Sequence, residues 1–355
     1  DKAESLYLES KVIREKALGR EHPDYASSLY NLAVLYLNTG QYEKAEPLFL
    51  ESQGIQEKAL GKEHPEYAES LYNLANLHRV MGQYEKAEPL LFELSTVNRH
   101  LIGQALHHLS ESELNNYMDK FSDSQNQTLS FTQIVGSKKT IPVCYDNSLF
   151  YKGFLLQSVG RIKQLTLSDA GAAEKYIQMK GHQRRLATQY AQPIAKRDSA
   201  LVAQLEAKAN DLEKDLARTV AGWGQANKQV TWQEVQAALK PNEAAIEFVH
   251  YRFHQKKQTD STFYAALVLQ PGADALQFIP LFEGKQLTAL LKAGDRPQPV
   301  FYNDLYDTDK KGDQLYDLIW KPVMAALPES SILYCSPSGL LHRLNLAAIP
   351  MPDGK

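Results

Sequence analysis

The sequence predicts three kinds of structure in succession: an α solenoid, a helical connector and the beginning of an α/β unit. Three observations predict it. Blocks of residues recur at one fixed spacing near the N-terminus. Leu201, Leu205, Leu212 and Leu216 keep an apolar seam at nearly 3.5-residue spacing, the mark of a helix packed on another. Near the C-terminus the apolar run Ile332-Leu333-Tyr334 ends in the turn formers Ser336-Pro337-Ser338-Gly339, which reads as a buried strand entering a sharp turn.

The repeats come first. Lys16-Ala17-Leu18-Gly19 recurs at Lys58 to Gly61, Leu29-Tyr30-Asn31-Leu32-Ala33 at Leu71 to Ala75, and Gly40 to Leu48 at Gly82 to Leu90. Each block returns 42 positions on (58 − 16 = 42). A period of that length means stacked helical hairpins, each too small to bury its own apolar face. Length alone also allows a HEAT-type array, but the residue types do not favour it. Leu29, Leu32, Ala33 and Tyr36 form one helical face, Gly40 ends it, and Tyr42, Ala45 and Phe49 open the next. Small residues at Ala33 and Ala45 let two helices approach closely, and Gly40 suits a left-handed helix end. This pattern resembles tetratricopeptide repeats. The Glu-His-Pro connection at Glu21-His22-Pro23 and Glu63-His64-Pro65 resembles the kinesin-light-chain form of them. Asp1 to Ser10 aligns with Glu43 to Ser52, so the chain is expected to begin inside the second helix of a repeat.

Pro47 and Pro89 stand where that second helix should already be running, and each is expected to bend its first turn or delay its entry. His22 and His64 occupy equivalent connections. Two histidines one solenoid step apart, with no Cys or third ligand, are expected to shape loops and not to bind metal. The spacing Leu94, Val97, Leu101, Ala105 and Leu109 continues a helix after the signature fades, as in a capping repeat, and the solenoid is assigned to 1–121. Ser122 to Thr128 is polar and turn-rich, so 122–142 reads as a linker. Helices over about 146–164, 170–190 and 199–219 make up a connector at 143–222.

From 223 onward the pattern changes. Thr231-Trp232-Gln233-Glu234 is a capping box that opens a helix through Leu239. Ala244 to Tyr251, Thr262 to Gln270 and Leu276 to Leu281 read as strands, by their β-branched and aromatic content. Leu315 to Pro322 is an amphipathic helix feeding the strand at 332–335, half of a crossover unit and so a parallel pairing. After Gly339, the residues Leu340, Leu341, Leu344, Leu346 and Ile349 form an apolar face with no later sequence to pack on. Aggregation, or low exchange protection beyond about Asp313, is the expectation from sequence.

The ordered set Leu315-Tyr316, Ile319-Trp320, Pro322, Leu327 and Ser336-Pro337-Ser338-Gly339-Leu340-Leu341, with Trp232, Leu239, Ile246-Glu247-Phe248 and Tyr264 upstream, resembles the opening of the CHAT domain. That family has a caspase-like cysteine protease fold and is usually found behind tetratricopeptide repeats. The resemblance implies that 223–355 is the N-terminal part of such a domain, so the fold class becomes a TPR solenoid plus connector followed by an incomplete α/β caspase-like domain. It places the catalytic His and Cys after later strands, so no catalytic residue is assigned within this chain, which reads as truncated at both ends. Cys335 and His342 tempt one toward a dyad. Sequence separation cannot place a thiolate beside a base, however, and a Cys at a strand end is commonly inert.

Composition excludes several functions. A net charge of −3 supplies no basic field, so no nucleic-acid contact is expected. No apolar run approaches the roughly 20 residues that span a bilayer, so no membrane partner is expected. Two cysteines suit a reducing compartment, and the cytoplasm is the expected location. No phosphate loop, dinucleotide fingerprint or paired-Cys spacing is present, so no cofactor and no metal is assigned.

What the repeats offer is a groove. With Leu29, Leu32, Ala33 and Tyr36 turned to the core, the neighbouring stripe is Tyr30, Asn31, Val34, Leu37 and Asn38, and one repeat on it is Tyr72, Asn73, Asn76 and Arg79. Asn can donate to and accept from an extended backbone, and Tyr adds apolar contact. The expected partner is therefore a protein or peptide. The function read from the sequence is the regulatory, N-terminal portion of a repeat-controlled caspase-like endopeptidase. The alternative is a non-enzymatic scaffold carrying a degenerate domain of that type.

Overall fold

A computed structural model describes residues 2–105, 108–221, 229–254, 258–272, 276–292, 298–327 and 332–351. Helices α1 (Lys2–Leu18), α2 (Pro23–Asn38), α3 (Tyr42–Leu60), α4 (Pro65–Val80) and α5 (Tyr84–Ala105) form the repeats. Tyr25, Leu29, Leu32, Ala33 and Phe49 are buried, as are their counterparts Tyr67, Leu71, Leu74, Ala75 and Leu91, so the predicted core face is the observed one. Gly40 has φ +76° and closes α2 in a Schellman arrangement. The Gln41 amide donates to the Tyr36 carbonyl at 2.8 Å and the Gly40 amide to Leu37 at 3.1 Å. Gly82 repeats the geometry, with Gln83 donating to His78 at 2.8 Å.

The two histidines have a structural task. The Nδ1 atoms of His22 and His64 accept from the Asp24 and Glu66 amides at 3.1 and 3.3 Å, capping α2 and α4, and Pro23 and Pro65 follow in the first turn. The prolines at 47 and 89 do not delay helix entry. α3 and α5 begin at Tyr42 and Tyr84 and run through them. Each proline forgoes one backbone bond, and the buried pairs Ala45/Phe49 and Ala87/Leu91 hold the helix regardless.

The linker expected at 122–142 is not a loop. After α6 (Glu111–Asp119), α7 (Ser122–Val135) is a helix and α8 (Thr140–Ser168) starts five residues later. Phe131 of α7 packs with Ala75, Ala87 and Leu91 of the second repeat, while Leu129 packs against the sheet. The polar residues that read as linker, Asn126, Gln127 and Thr128, are buried between these two surfaces. Helices α9 (Ala170–Tyr190) and α10 (Ser199–Ala221) form a hairpin through Ala172, Met179 and Leu216. The boundary placed at 222/223 lies outside the described residues.

Beyond α11 (Trp232–Ala238), opened by the predicted Thr231/Glu234 capping box, lie β1 (Glu243–His254), β2 (Gln258–Leu269), β3 (Gln277–Glu283) and β4 (Ile332–Ser336) in the order β3-β2-β1-β4. The sheet is mixed: β1, β2 and β3 are an antiparallel meander, and β4 joins β1 in parallel, with Ile246 opposite Cys335. Between β3 and β4 run α12 (Gly284–Leu290), α13 (Gln298–Leu305) and α14 (Asp313–Met324). Alternation along β1 gives the sheet two apolar faces. Ala244, Ile246 and Phe248 meet Leu315, Ile319, Trp320 and Val323 of α14, and Ala245, Val249 and Tyr251 meet Leu129, Ile141, Cys144 and Tyr145 of α7 and α8.

The segment after Gly339 does not stand uncovered, as its sequence alone implied. Leu341, Leu344 and Ile349 are buried in the α14 side of the core. Trp320 Nε1 donates to the Leu346 carbonyl at 3.1 Å, and the Asn345 amide donates to the Tyr306 hydroxyl at 2.9 Å. Low protection beyond Asp313 therefore has no basis in the packing. Among the described residues no helix is long and apolar enough to cross a membrane.

Candidate functional site: the groove of the repeats

The predicted stripe splits into an open half and an occupied half. Asn31 and Asn38 on α2 are exposed, and Val34 and Leu37 are half-buried beside them. Tyr30 lies across to the next repeat. Its hydroxyl donates to Glu69 Oε1 at 2.8 Å and accepts from Asn73 Nδ2 at 2.5 Å. Burial, then the Glu69 carboxylate, push the Tyr30 phenol well above its ordinary pKa, so it acts as a neutral donor. Asn73 Nδ2 also donates to the Glu69 carbonyl at 3.2 Å. The donor hydrogens of Asn73 are thus used within the solenoid, while Asn31 projects into solvent.

At the far end of α4 the stripe meets the sheet unit. Arg79 is 5% exposed; its Nη1 donates to the His254 carbonyl at 3.1 Å and its Nη2 to Asn76 Oδ1 at 2.7 Å. Burial holds the Arg79 guanidinium below its usual pKa, with Tyr72 and Tyr84 opposing the shift. Gln127 of α7 donates to the Tyr72 carbonyl at 3.4 Å. Tyr72 itself borders a cavity of about 520 Å³ with Ala68, Glu69, Leu94, Tyr117 and Phe121. Sequence reasoning missed the α6–α7 wall of that cavity, because polar residues at 122–128 looked like loop.

The cysteines offer no nucleophile. Burial pushes the Cys335 thiol up to about 11 and the Cys144 thiol up to about 12, so both are protonated at neutral pH. His342 is exposed, and Cys335 Sγ donates to its own strand's Leu333 carbonyl at 3.9 Å.

Where β4 ends, beside the middle of β1, Lys152 of α8 reaches in. Its Nζ bonds Glu247 Oε2 at 2.7 Å, the Phe248 carbonyl at 2.8 Å, and the Ser336 carbonyl and hydroxyl at 3.1 and 3.0 Å. Burial lowers the Lys152 pKa and Glu247 opposes the shift. With every ammonium hydrogen engaged, Lys152 ties the connector to both parallel strands. Beyond it His250 bonds Ser338 through Nδ1 and stacks on Tyr264 with centroids 5.8 Å apart. No cluster of three His, Cys, Asp or Glu side chains able to hold a metal occurs among the described residues.

Compared with known proteins, the chain matches the tetratricopeptide repeat family at residues 1–58 and 30–93. The N-terminal helices are therefore tetratricopeptide repeats, a class that works through protein–protein contact. No curated protein matches the chain.

Proposed function

We propose that the repeats bind an extended segment of a partner protein and that this binding controls the sheet unit packed on them, which is of the caspase-like type its sequence resembles. One observation carries the binding half. The Tyr30–Glu69–Asn73 bridge ties the first helices of two repeats into a rigid floor, flanked by exposed Asn31 and by the cavity at Tyr72. A preorganised floor loses little entropy on binding. The control half is supported by contact, because α7 packs on the second repeat with one side and on β1 with the other. The caspase-like type is supported by the parallel β1–β4 pair, by helices on both faces, and by the Ser338-Gly339 turn at the strand end.

Peptides selected from a displayed library would be titrated calorimetrically against wild type, Asn31→Ala and Tyr72→Ala. Loss of one hydrogen bond at Asn31, worth about 0.5–1.5 kcal/mol, should weaken binding about two- to tenfold, and Tyr72→Ala should weaken it further. Unchanged affinity in both variants, with helicity intact, would remove the groove from the account.

A further inference from the structure

The second repeat, α7 and the end of β1 meet in a seam that is buried but poorly satisfied. Arg79, Gln127 and His254 are 5%, 0% and 4% exposed. Arg79 Nε, Gln127 Oε1 and His254 Nε2 have no hydrogen-bond partner among the described residues. Most of the other polar groups here are well met. The His254 amide donates to Ser130 Oγ at 2.9 Å, the Arg252 amide to Asn126 Oδ1 at 3.1 Å, and Arg252 Nη2 pairs with Asp123 at 2.7 Å. The deficit is local. It falls on a buried guanidinium whose two hydrogen-bond partners, the His254 carbonyl and the Asn76 amide oxygen, are both uncharged. Such unmet groups are few in a permanent core, Asn147 Oδ1 and His182 Nδ1 being others among the described residues, and three gathered in one seam call for an explanation.

We propose that this seam is a releasable latch between the repeats and the sheet, closed by the Arg79 guanidinium on the His254 carbonyl and opened from the His254 ring. The proposal does not depend on the groove's binding a peptide. Three charged groups face the ring: Arg79 from α4, Asp123 from α7 and Arg252 from β1 itself. Burial comes first and Arg79 second in holding His254 below its ordinary value of 6.5, with Asp123 opposing and Arg252 assisting. A proton added to His254 thus meets a buried cation across the seam and no buried anion. The sign follows. His254 is neutral in the closed seam and binds its proton more readily once released, so closure is fully stable above pH 6.5 and weakens as pH falls below it. Opening would free Arg79 at the end of the groove and release α7 from one of its two neighbours.

The test is hydrogen exchange on the whole chain at pH 7.5 and 5.5, with rates corrected for the chemical effect of pH. Segments 122–135 and 246–254 are compared with 26–38. Between pH 7.5 and 5.5 the open population rises by at most about tenfold, so exchange in the two seam segments should quicken several-fold toward that limit while 26–38 stays constant. His254→Gln should abolish the difference. Equal pH response in all three segments, or an undiminished response in His254→Gln, would overturn the latch in favour of a permanent, hydrated interface. Should that variant misfold, exchange at the imidazole C2 proton titrates His254 in the wild type. A midpoint below 6.5 is expected, and one at or above it refutes the proposal.

Discussion

Gly339 follows Ser338 in the turn after β4, and the close packing there makes Gly339→Ala a sharp test of the strand-end geometry. Its φ is +56°, and a Cβ would lie 2.5 Å from the Tyr264 hydroxyl and 3.1 Å from His250 Cγ. Two costs combine. An alanine in the left-handed region loses about 1 kcal/mol on its backbone alone. The overlap must then push the Tyr264 ring, which is stacked on Phe282 at 4.8 Å and on His250. Moving that ring endangers the bond from the Leu340 amide to the Tyr264 hydroxyl, 2.9 Å long. Overpacking of this kind costs about 1–3 kcal/mol and the bond about 1 kcal/mol, so with the backbone share the variant should lose about 3–5 kcal/mol. Gly40→Ala is the control, because Gly40 has φ +76° and nothing within 4 Å of its Cβ position. It should lose only the backbone share, about 1 kcal/mol. Native-state hydrogen exchange reads both, over 332–348 for Gly339→Ala and 36–45 for Gly40→Ala. If the two losses agree within about 0.5 kcal/mol, the neighbours yield freely and the packing argument at Gly339 is wrong.

Three further outcomes are expected. With its thiol raised to about 11, Cys335 should react with iodoacetamide at pH 8 roughly two-hundredfold more slowly than a free cysteine thiol, gaining about tenfold per pH unit until near 11; fast alkylation at pH 8 would contradict its burial. His64→Ala removes the Nδ1 acceptor from the start of α4 and should cost about 1 kcal/mol in urea unfolding, while His64→Asn should restore most of it; equal losses would show that the ring matters by packing and not as a cap. Lys152→Met strands the Glu247 carboxylate with Ser148 as a remaining partner and should cost about 2 kcal/mol, below the roughly 3–5 kcal/mol of a fully buried broken pair because Lys152 keeps partial solvent access. Exchange at 332–336 measures that loss, and an unchanged rate would mean that Lys152 does not hold β4.

Much of the fold was legible because it repeats or alternates. The 42-residue period, the buried Leu29/Leu32/Ala33/Tyr36 face and the glycine helix end are local properties, and the structure keeps them all. The strands expected at 244–251, 262–270 and 276–281 were readable for the same reason, β-branched and aromatic residues bounded by polar turns, and the structure places them at 243–254, 258–269 and 277–283. The groove was legible only as a stripe. Spacing put Tyr30, Asn73 and Arg79 on one face, but hydrogen-bond partners come from other elements and leave no mark in sequence.

What the sequence determined by itself was every element whose signal lies within one or two turns of chain: the repeats, their glycine helix ends and the strands. The tertiary structure alone decided three things. It made a helix of residues 122–135 and buried its polar middle at Asn126, Gln127 and Thr128, because two neighbouring surfaces supply partners that a free segment lacks. It covered the apolar residues after Gly339 with α14 and its neighbours, a contact between distant segments that no local pattern encodes. And it turned Arg79 from a groove residue into the bond that holds the sheet, because a guanidinium seeks whichever carbonyl the fold brings within reach.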